Sequence, residues 1–424
     1  MTRGSLALVL VLTGCGGKVE PDTRVTTEAG VSRYALECAN EMTPPSRLEC
    51  TGLYANLDKK VLTDGVRPYT PAVPLWSDGA LKKRYIFIPK GQKIDASDPN
   101  EWRFPLGTKV WKEFSVGDKR METRLFQKTD TNHWVRTTYA WNDDDSGAKS
   151  FSGGDVESPD GGVYHIPTGS ECNQCHNGRN DRLLGFEQVS LGLEGAEGTT
   201  LADLVSEKLI TPVPENTALV VGDDGTGLAA DPLKWLHVNC GVTCHNDNEG
   251  ATAYGAGMKL RLDATQLDGR PVNDFDSEQT TINTVVNTPT WLGQHRIVTG
   301  APEQSLLVKL ITTRSFGADT ATAQMPPIAS RVVDTKDTNK VIDWIAAMPK
   351  AAQPDAGTTP VHVGGPTRVD AGPTMLPSDN PDPPPKHHDA GAPTSGNKDA
   401  GQGSSPGHDA GAPDASMTTD AGDD

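Results

Sequence analysis

The sequence predicts a multidomain chain: a β-rich, sandwich-like N-terminal domain over residues 55–165, followed by an α-helical region over 166–350. Three observations predict it. Short aromatic and β-branched runs separated by turn residues fill the first region. Capped helical patterns fill the second. Beyond 350 the composition shifts to repeated Asp-Ala-Gly with Pro, Ser and Thr between the repeats.

The strand runs are Arg84-Tyr85-Ile86-Phe87-Ile88, Val110-Trp111-Lys112-Glu113-Phe114, Thr123-Arg124-Leu125-Phe126 and Trp134-Val135-Arg136-Thr137-Thr138-Tyr139. Pro89 ends the first, and Ser115 to Asp118 turn the chain after the second. Such residues suit a pleated, half-buried surface, and their close spacing suggests a sandwich or barrel. The aromatic side chains there are expected to be core.

The helical signals start at Thr200, where Thr200-Leu201-Ala202-Asp203 reads as a capped N-terminus. Pro232 to Val238 leads helically into Cys240, and Ser305–Ile311 and Asn339–Ala347 form two more candidates. Val341, Ile345 and Met348 fall on one helical face.

The ends indicate compartment rather than fold. Arg3, the apolar run Leu6–Leu12 and Leu12-Thr13-Gly14-Cys15 make residues 1–14 a lipoprotein signal, with Cys15 as the lipidated residue. The run is shorter than the roughly 20 residues a membrane span needs. Gly16 in place of an aspartate after Cys15 favours the outer membrane. The expected location is therefore the cell envelope, with membrane contact through the lipid anchor alone. Residues 15–54 read as a tether ending in a small loop closed by a Cys38–Cys50 disulfide, since no third Cys or His sits beside that pair. Closing so short a loop contributes about 3 kcal/mol. Residues 351–424 hold too few apolar groups to offset ordering entropy and are expected to be disordered. The formal net charge of −17 argues against nucleic acid and for a basic protein partner.

The chemistry-bearing residues are cysteines followed by histidine. Cys172-Asn173-Gln174-Cys175-His176 places two thiols one helical turn apart, with an imidazole next to the second. Two thiols can reach the two vinyl groups on one porphyrin edge, and the adjacent imidazole swings under the iron; this is the attachment signature of c-type haem. Cys240-Gly241-Val242-Thr243-Cys244-His245 repeats the device with one extra residue between the cysteines. That residue must bulge or loosen the turn, and Gly241, lacking a Cβ, eases it. Two haems c are expected, with His176 and His245 as proximal ligands. The same cysteines also permit disulfides, one four-Cys zinc site, or thioredoxin-like redox pairs. Zinc knuckles do not require a His after each pair, and the βαβ pattern of a redox dithiol is absent.

Met325-Pro326-Pro327 supplies a thioether on a rigid turn, and Met325 is the expected distal ligand of the second haem. The first haem lacks an evident distal partner. His237, three residues before Cys240, is the candidate that could point to it, and a packed or capping role fits His237 equally; His165, Met258 and His295 are further candidates.

At these residues the chain resembles an uncharacterised family of exported di-haem c-type cytochrome proteins with an N-terminal β domain. The resemblance runs through Pro74-Leu75-Trp76-Ser77-Asp78-Gly79-Ala80, Lys83-Arg84-Tyr85, Pro89, Phe104-Pro105-Leu106-Gly107-Thr108, Lys112-Glu113-Phe114 and Glu122-Thr123-Arg124-Leu125. It continues at Leu184-Gly185-Phe186, Leu191 and Leu236-His237-Val238-Asn239-Cys240, covering roughly residues 55 to 346. It departs at the second site, where the family has Cys-x-x-Cys-His. The resemblance implies haem and export and leaves the substrate open. The expected function is periplasmic electron transfer by a lipid-anchored cytochrome with a redox partner protein. The rival readings are a di-haem peroxidase or oxidase with an open sixth position, and an envelope binding module with accessory haem.

Overall fold

The chain folds around one antiparallel meander. The computed structural model describes residues 24–26, 32–34, 38, 42–314 and 324–350, all within one compact unit spanning residues 1–375. The expected signal over 1–14, the lipidated Cys15 and the expected disordered tail over 351–424 lie outside the described residues.

Six strands follow one another in the central sheet: β1 (Val66–Thr70), β2 (Leu81–Phe87), β3 (Lys109–Val116), β4 (Lys119–Asp130), β5 (His133–Trp141) and β6 (Ala148–Phe151). A seventh, β7 (Glu197–Gly198), returns from the later region to pair with β1, giving the spatial order β6-β5-β4-β3-β2-β1-β7. Every pairing in this sheet is antiparallel. All four strand runs read from the sequence lie in it.

The expected sandwich is corrected to a single sheet with unlike covers. Sequence-adjacent strands with tight turns close into one layer, and among the described residues the other sheets have only two strands each. On one face Tyr85, Phe87, Trp111, Leu125, Tyr139 and Trp141 pack against Leu48, Leu53, Tyr54 and Leu57. That N-terminal cover carries the bonded pair Cys38–Cys50, with Cα atoms 5.4 Å apart. The other face presents Ile86, Val110, Phe126 and Trp134 to Phe104, Leu183, Phe186, Leu191, Leu201 and Leu204. Burying each of these large side chains contributes about 1.5–3 kcal/mol. The β-rich part and the later region therefore share a core. A parallel pairing of Ile210–Thr211 with Ile94–Asp95 adds a second tie.

The later region consists of short helices joined by 3-10 turns and extended links: α1 (Gly169–His176), α2 (Gln188–Gly192), α3 (Leu201–Ser206), α4 (Ala230–Leu236), α5 (Asp276–Gln279), α6 (Leu306–Ile311) and α7 (Thr335–Ala347). Local chemistry starts them. Thr200 and Asp203 form the expected capping box of α3, and Thr168 with Glu171 caps α1 the same way. Val341, Ile345 and Met348 all face inward beneath α7, as their spacing predicts. They join Trp235, Leu236, Cys240, Leu260, Leu262 and Trp344 in a second core. Among the described residues no helix is long and apolar enough to cross a membrane.

Candidate functional site

The two Cys-His motifs occupy different backbone geometries. Cys172, Cys175 and His176 lie on α1, where Cys172 N–H donates to Thr168 O at 3.1 Å and Asn177 N–H to Asn173 O at 2.9 Å. The second motif starts in a π turn, His237–Gly241, that continues α4. Val242 N–H reaches back five residues to His237 O, and His245 N–H five residues to Cys240 O, both at 2.8 Å. A wider turn of this kind absorbs one extra residue within a helix. Gly241 matters there for a different reason from the one its flexibility suggested. A Cβ on it would lie 2.4 Å from Arg261 N and Leu260 C, so the glycine admits the neighbouring backbone.

The segments that carry the motifs, far apart in sequence, pack on each other. Thr252 Oγ1 donates to Gln174 O at 2.9 Å, inside the first motif. Asn248 Nδ2 donates to Gly178 O at 2.8 Å. Gly178 packs so closely on the second motif that a Cβ there would fall 1.8 Å from Thr243 O. Glu101 holds the junction from the β-rich side. Its carboxylate accepts from Asn248 Nδ2 at 2.6 Å and Asn180 N at 3.2 Å, lies 3.4 Å from Arg179 Nε, and pairs with Arg261. Asp181, just beyond the first motif, accepts from Lys128 Nζ at 2.6 Å, Trp134 Nε1 at 2.9 Å and Phe104 N at 2.6 Å. Neither acid stood out in the sequence, because nothing local distinguishes a clamp formed across 47 residues or more.

The donor set fits a c-type haem at each motif. His176 donates Nδ1–H to Arg182 O at 2.5 Å, which fixes the tautomer and leaves Nε2 as the ligand nitrogen. Its ring stacks on Phe126 with centroids 4.2 Å apart. Burial lowers its pKa to about 3, so the imidazole is neutral and its lone pair is available at neutral pH. Burial likewise lowers His245 to about 4. The Met258 backbone acceptor partly opposes that shift, although no well-aligned bond forms and His245 Nδ1 is buried without a hydrogen-bond partner. Cys172, Cys175, Cys240 and Cys244 form no disulfide. Burial pushes the Cys175 and Cys240 thiols up to about 12, so they stay protonated rather than acting as low-pKa redox thiolates. Among the described residues no group of three or more His, Cys, Asp or Glu side chains converges as a zinc cage requires.

The distal candidates divide. Met325 N–H donates to Leu310 O at 2.9 Å, and the half-buried side chain packs on the core that contains Cys240, as does Met258. His237 sits in a packed, hydrogen-bonded setting, the second of the two roles its position allows. It is 1% exposed, its Nδ1 accepts from Leu262 N at 2.9 Å, and its Nε2 faces Glu187 Oε1 at 3.4 Å. Both ring nitrogens are thus engaged. Burial works against ionisation of Glu187, but the hydrogen bond from His237 Nε2–H, with the charge of Arg179, outweighs it and holds the carboxyl at about 2. Glu187 also caps α2 through Val189 N and Ser190 N, both at 2.8 Å. His165 is held between Asp155 and Glu171.

Compared with family models, curated proteins and solved structures, the chain matches none of them.

Proposed function

We propose that this chain is a di-haem c-type cytochrome of the bacterial envelope that transfers electrons. The observation that carries the reading is that two Cys-His motifs are packed side by side through their flanking residues, Thr252 donating to Gln174 O and Gly178 lying against Thr243. Cys172 and Cys175, and Cys240 and Cys244, would hold the two haems as thioethers. His176 and His245 would be the proximal ligands and Met325 the distal ligand of the second. When bound, haem supplies one-electron chemistry. The chain's own part is to fix the His176 tautomer through Arg182 O, to hold both imidazoles half-buried, and to lock the motifs together through Glu101. Packing of the motifs side by side favours exchange between the two centres. The net charge of −17 suits a basic redox partner, and a lipid on Cys15 would keep the protein at the membrane surface.

The test is mass spectrometry of denatured protein made with a c-type haem maturation system, with its absorption spectrum. Two covalent haem additions are expected. One addition would limit attachment to Cys172 and Cys175; none would refute the reading. One observation favours a second reading for the first haem. With His237 engaged on both nitrogens, that haem has no assigned sixth ligand, as a peroxidase requires. A high-spin ferric signal with peroxide turnover would support the enzyme; a fully low-spin spectrum would exclude it.

A further inference from the structure

The sheet face against the first motif carries a row of cations. Arg84 on β2 is in register with Lys112 on β3, and Lys112 with Arg124 on β4. Direct cross-strand partners share a face, so three basic side chains stand abreast over two strand spacings, about 10 Å; burial, then Arg84, Lys82 and Arg124, push the Lys112 pKa well below its ordinary value. The next rung of the same face is Ile86, Val110, Phe126 and Arg136, and Phe126 stacks on His176. The row therefore begins one rung from the first proximal ligand.

Like charges placed directly opposite in a sheet repel, and something must compensate. Among the described residues one acid does so. Glu122 accepts from Arg124 Nε at 2.8 Å and Nη2 at 2.5 Å, and also from Tyr164 Oη at 2.9 Å. Among the described residues Arg84 and Lys112 make no ion pair or side-chain hydrogen bond, although Arg84 is 6% exposed; Lys112 lies over the Phe114 ring at 5.0 Å. Arg136 adds a buried Nε with no partner, its other contact being Nη2 to Gly169 O at 3.4 Å. On the neighbouring rung Lys82 is turned to Ser77 Oγ, 2.7 Å away, and the Leu75 carbonyl.

We propose that Arg84 and Lys112, the members of the row that no acid engages among the described residues, form a carboxylate-binding pair that seats the propionates of the haem attached at Cys172 and Cys175. The inference rests on the haem reading above and gives the β-rich part a purpose in it. Propionates lie on the porphyrin edge opposite the vinyls, so the side chains that would meet them are those that Glu122 leaves free, Arg84 and Lys112. Arginine and lysine supply the charge-assisted hydrogen bonds that carboxylates take best. Cations on this face also favour the ferrous over the ferric state.

The test uses the full-length holoprotein with Lys112→Met, Arg84→Gln and the conservative Lys112→Arg. Covalent haem count by mass is read first, and two haems are expected in every variant. Spectroelectrochemical titration then follows each haem, with and without inorganic phosphate as a free-anion probe. Lys112→Met and Arg84→Gln should each lower the ferrous-to-ferric ratio of one haem at fixed potential about tenfold, a shift of about 59 mV. Lys112→Arg should retain the parent value, and phosphate should have no effect. If the haem count is two and neither potential moves, the pair is not a propionate seat, while the haem reading stands. If only the haem at Cys240 and Cys244 shifts, the assignment to the first haem is wrong. If phosphate shifts the parent protein and the variants lose that response, the pair binds a free anion instead. A count of zero in the parent refutes the haem reading itself.

Discussion

Gly178→Ala probes the contact that joins the two motifs. An added Cβ would lie 1.8 Å from Thr243 O and 2.8 Å from Thr243 C. Both are backbone atoms, so no side chain can rotate away, and one segment must retreat by roughly 1 Å or more. Overpacking of this kind costs about 1–3 kcal/mol. The same movement strains the Asn248 and Asn246 bonds to Gly178 O, at 2.8 and 3.4 Å, each contributing about 1 kcal/mol net. A loss of about 2–4 kcal/mol is expected. The assay is urea unfolding followed by circular dichroism, with Gly169→Ala as control. Gly169 starts α1 with nothing within 4 Å of its added Cβ, so that variant should match the parent or exceed it slightly. If Gly178→Ala unfolds at the same midpoint as Gly169→Ala, the close motif contact is not part of the folded protein.

Three further outcomes are expected. Glu278 is 7% exposed with Oε1 unpartnered, and burial, then Asp224 and Asp223, raise its carboxyl to about 7 from 4.5. The folded state holds its proton more tightly than the unfolded one, so stability is greatest below about pH 4.5 and falls as pH rises through about 7. Glu278→Gln should remove that loss, about 3 kcal/mol unscreened and about 1–2 kcal/mol after solvent screening, raising the melting temperature by about 2–4 °C at pH 8 but not at pH 4.5; equal gains at both pH values would refute it. Glu101→Ala should destabilise by about 3–5 kcal/mol in chemical denaturation, because it strands Arg179, whose side chain is 4% exposed; a change under 1 kcal/mol would mean that Glu101 is no clamp. Met325→His should lower the potential of one haem and Met325→Ala should open its sixth position, seen as a shift to high spin; unchanged spectra and potentials for both variants would move the ligand search to Met258 and His295.

Local features were legible and long-range ones were not. The runs around Tyr85, Trp111, Leu125 and Tyr139 announced strands because alternate residues face a core. Thr200 and Asp203 announced a helix start because a capping box spans four residues. Both Cys-His motifs could be read because their chemistry is local. Whether the strands made one sheet or two depended on what covered each face, and residues 48–57 and 183–204 supply those covers from outside the strand runs. The side-by-side packing of the motifs could not be foreseen, since Asn248 meets Gly178 across seventy positions. His237 stayed ambiguous for the same reason: its partners, Glu187 and Leu262, lie 50 and 25 residues away.

The π turn at His237–Gly241 changes how spacing should be weighed. One residue added to an α-helix rotates everything beyond it by about 100° around the axis. Here the widened turn takes up that rotation before Cys244 and His245, so an insertion in the chain need not become a displacement in space. Pattern searches that fix two letters between the cysteines would pass over the second motif. The quantity to compare across such proteins is the angular position of the histidine relative to its two thiols, which residue number does not record.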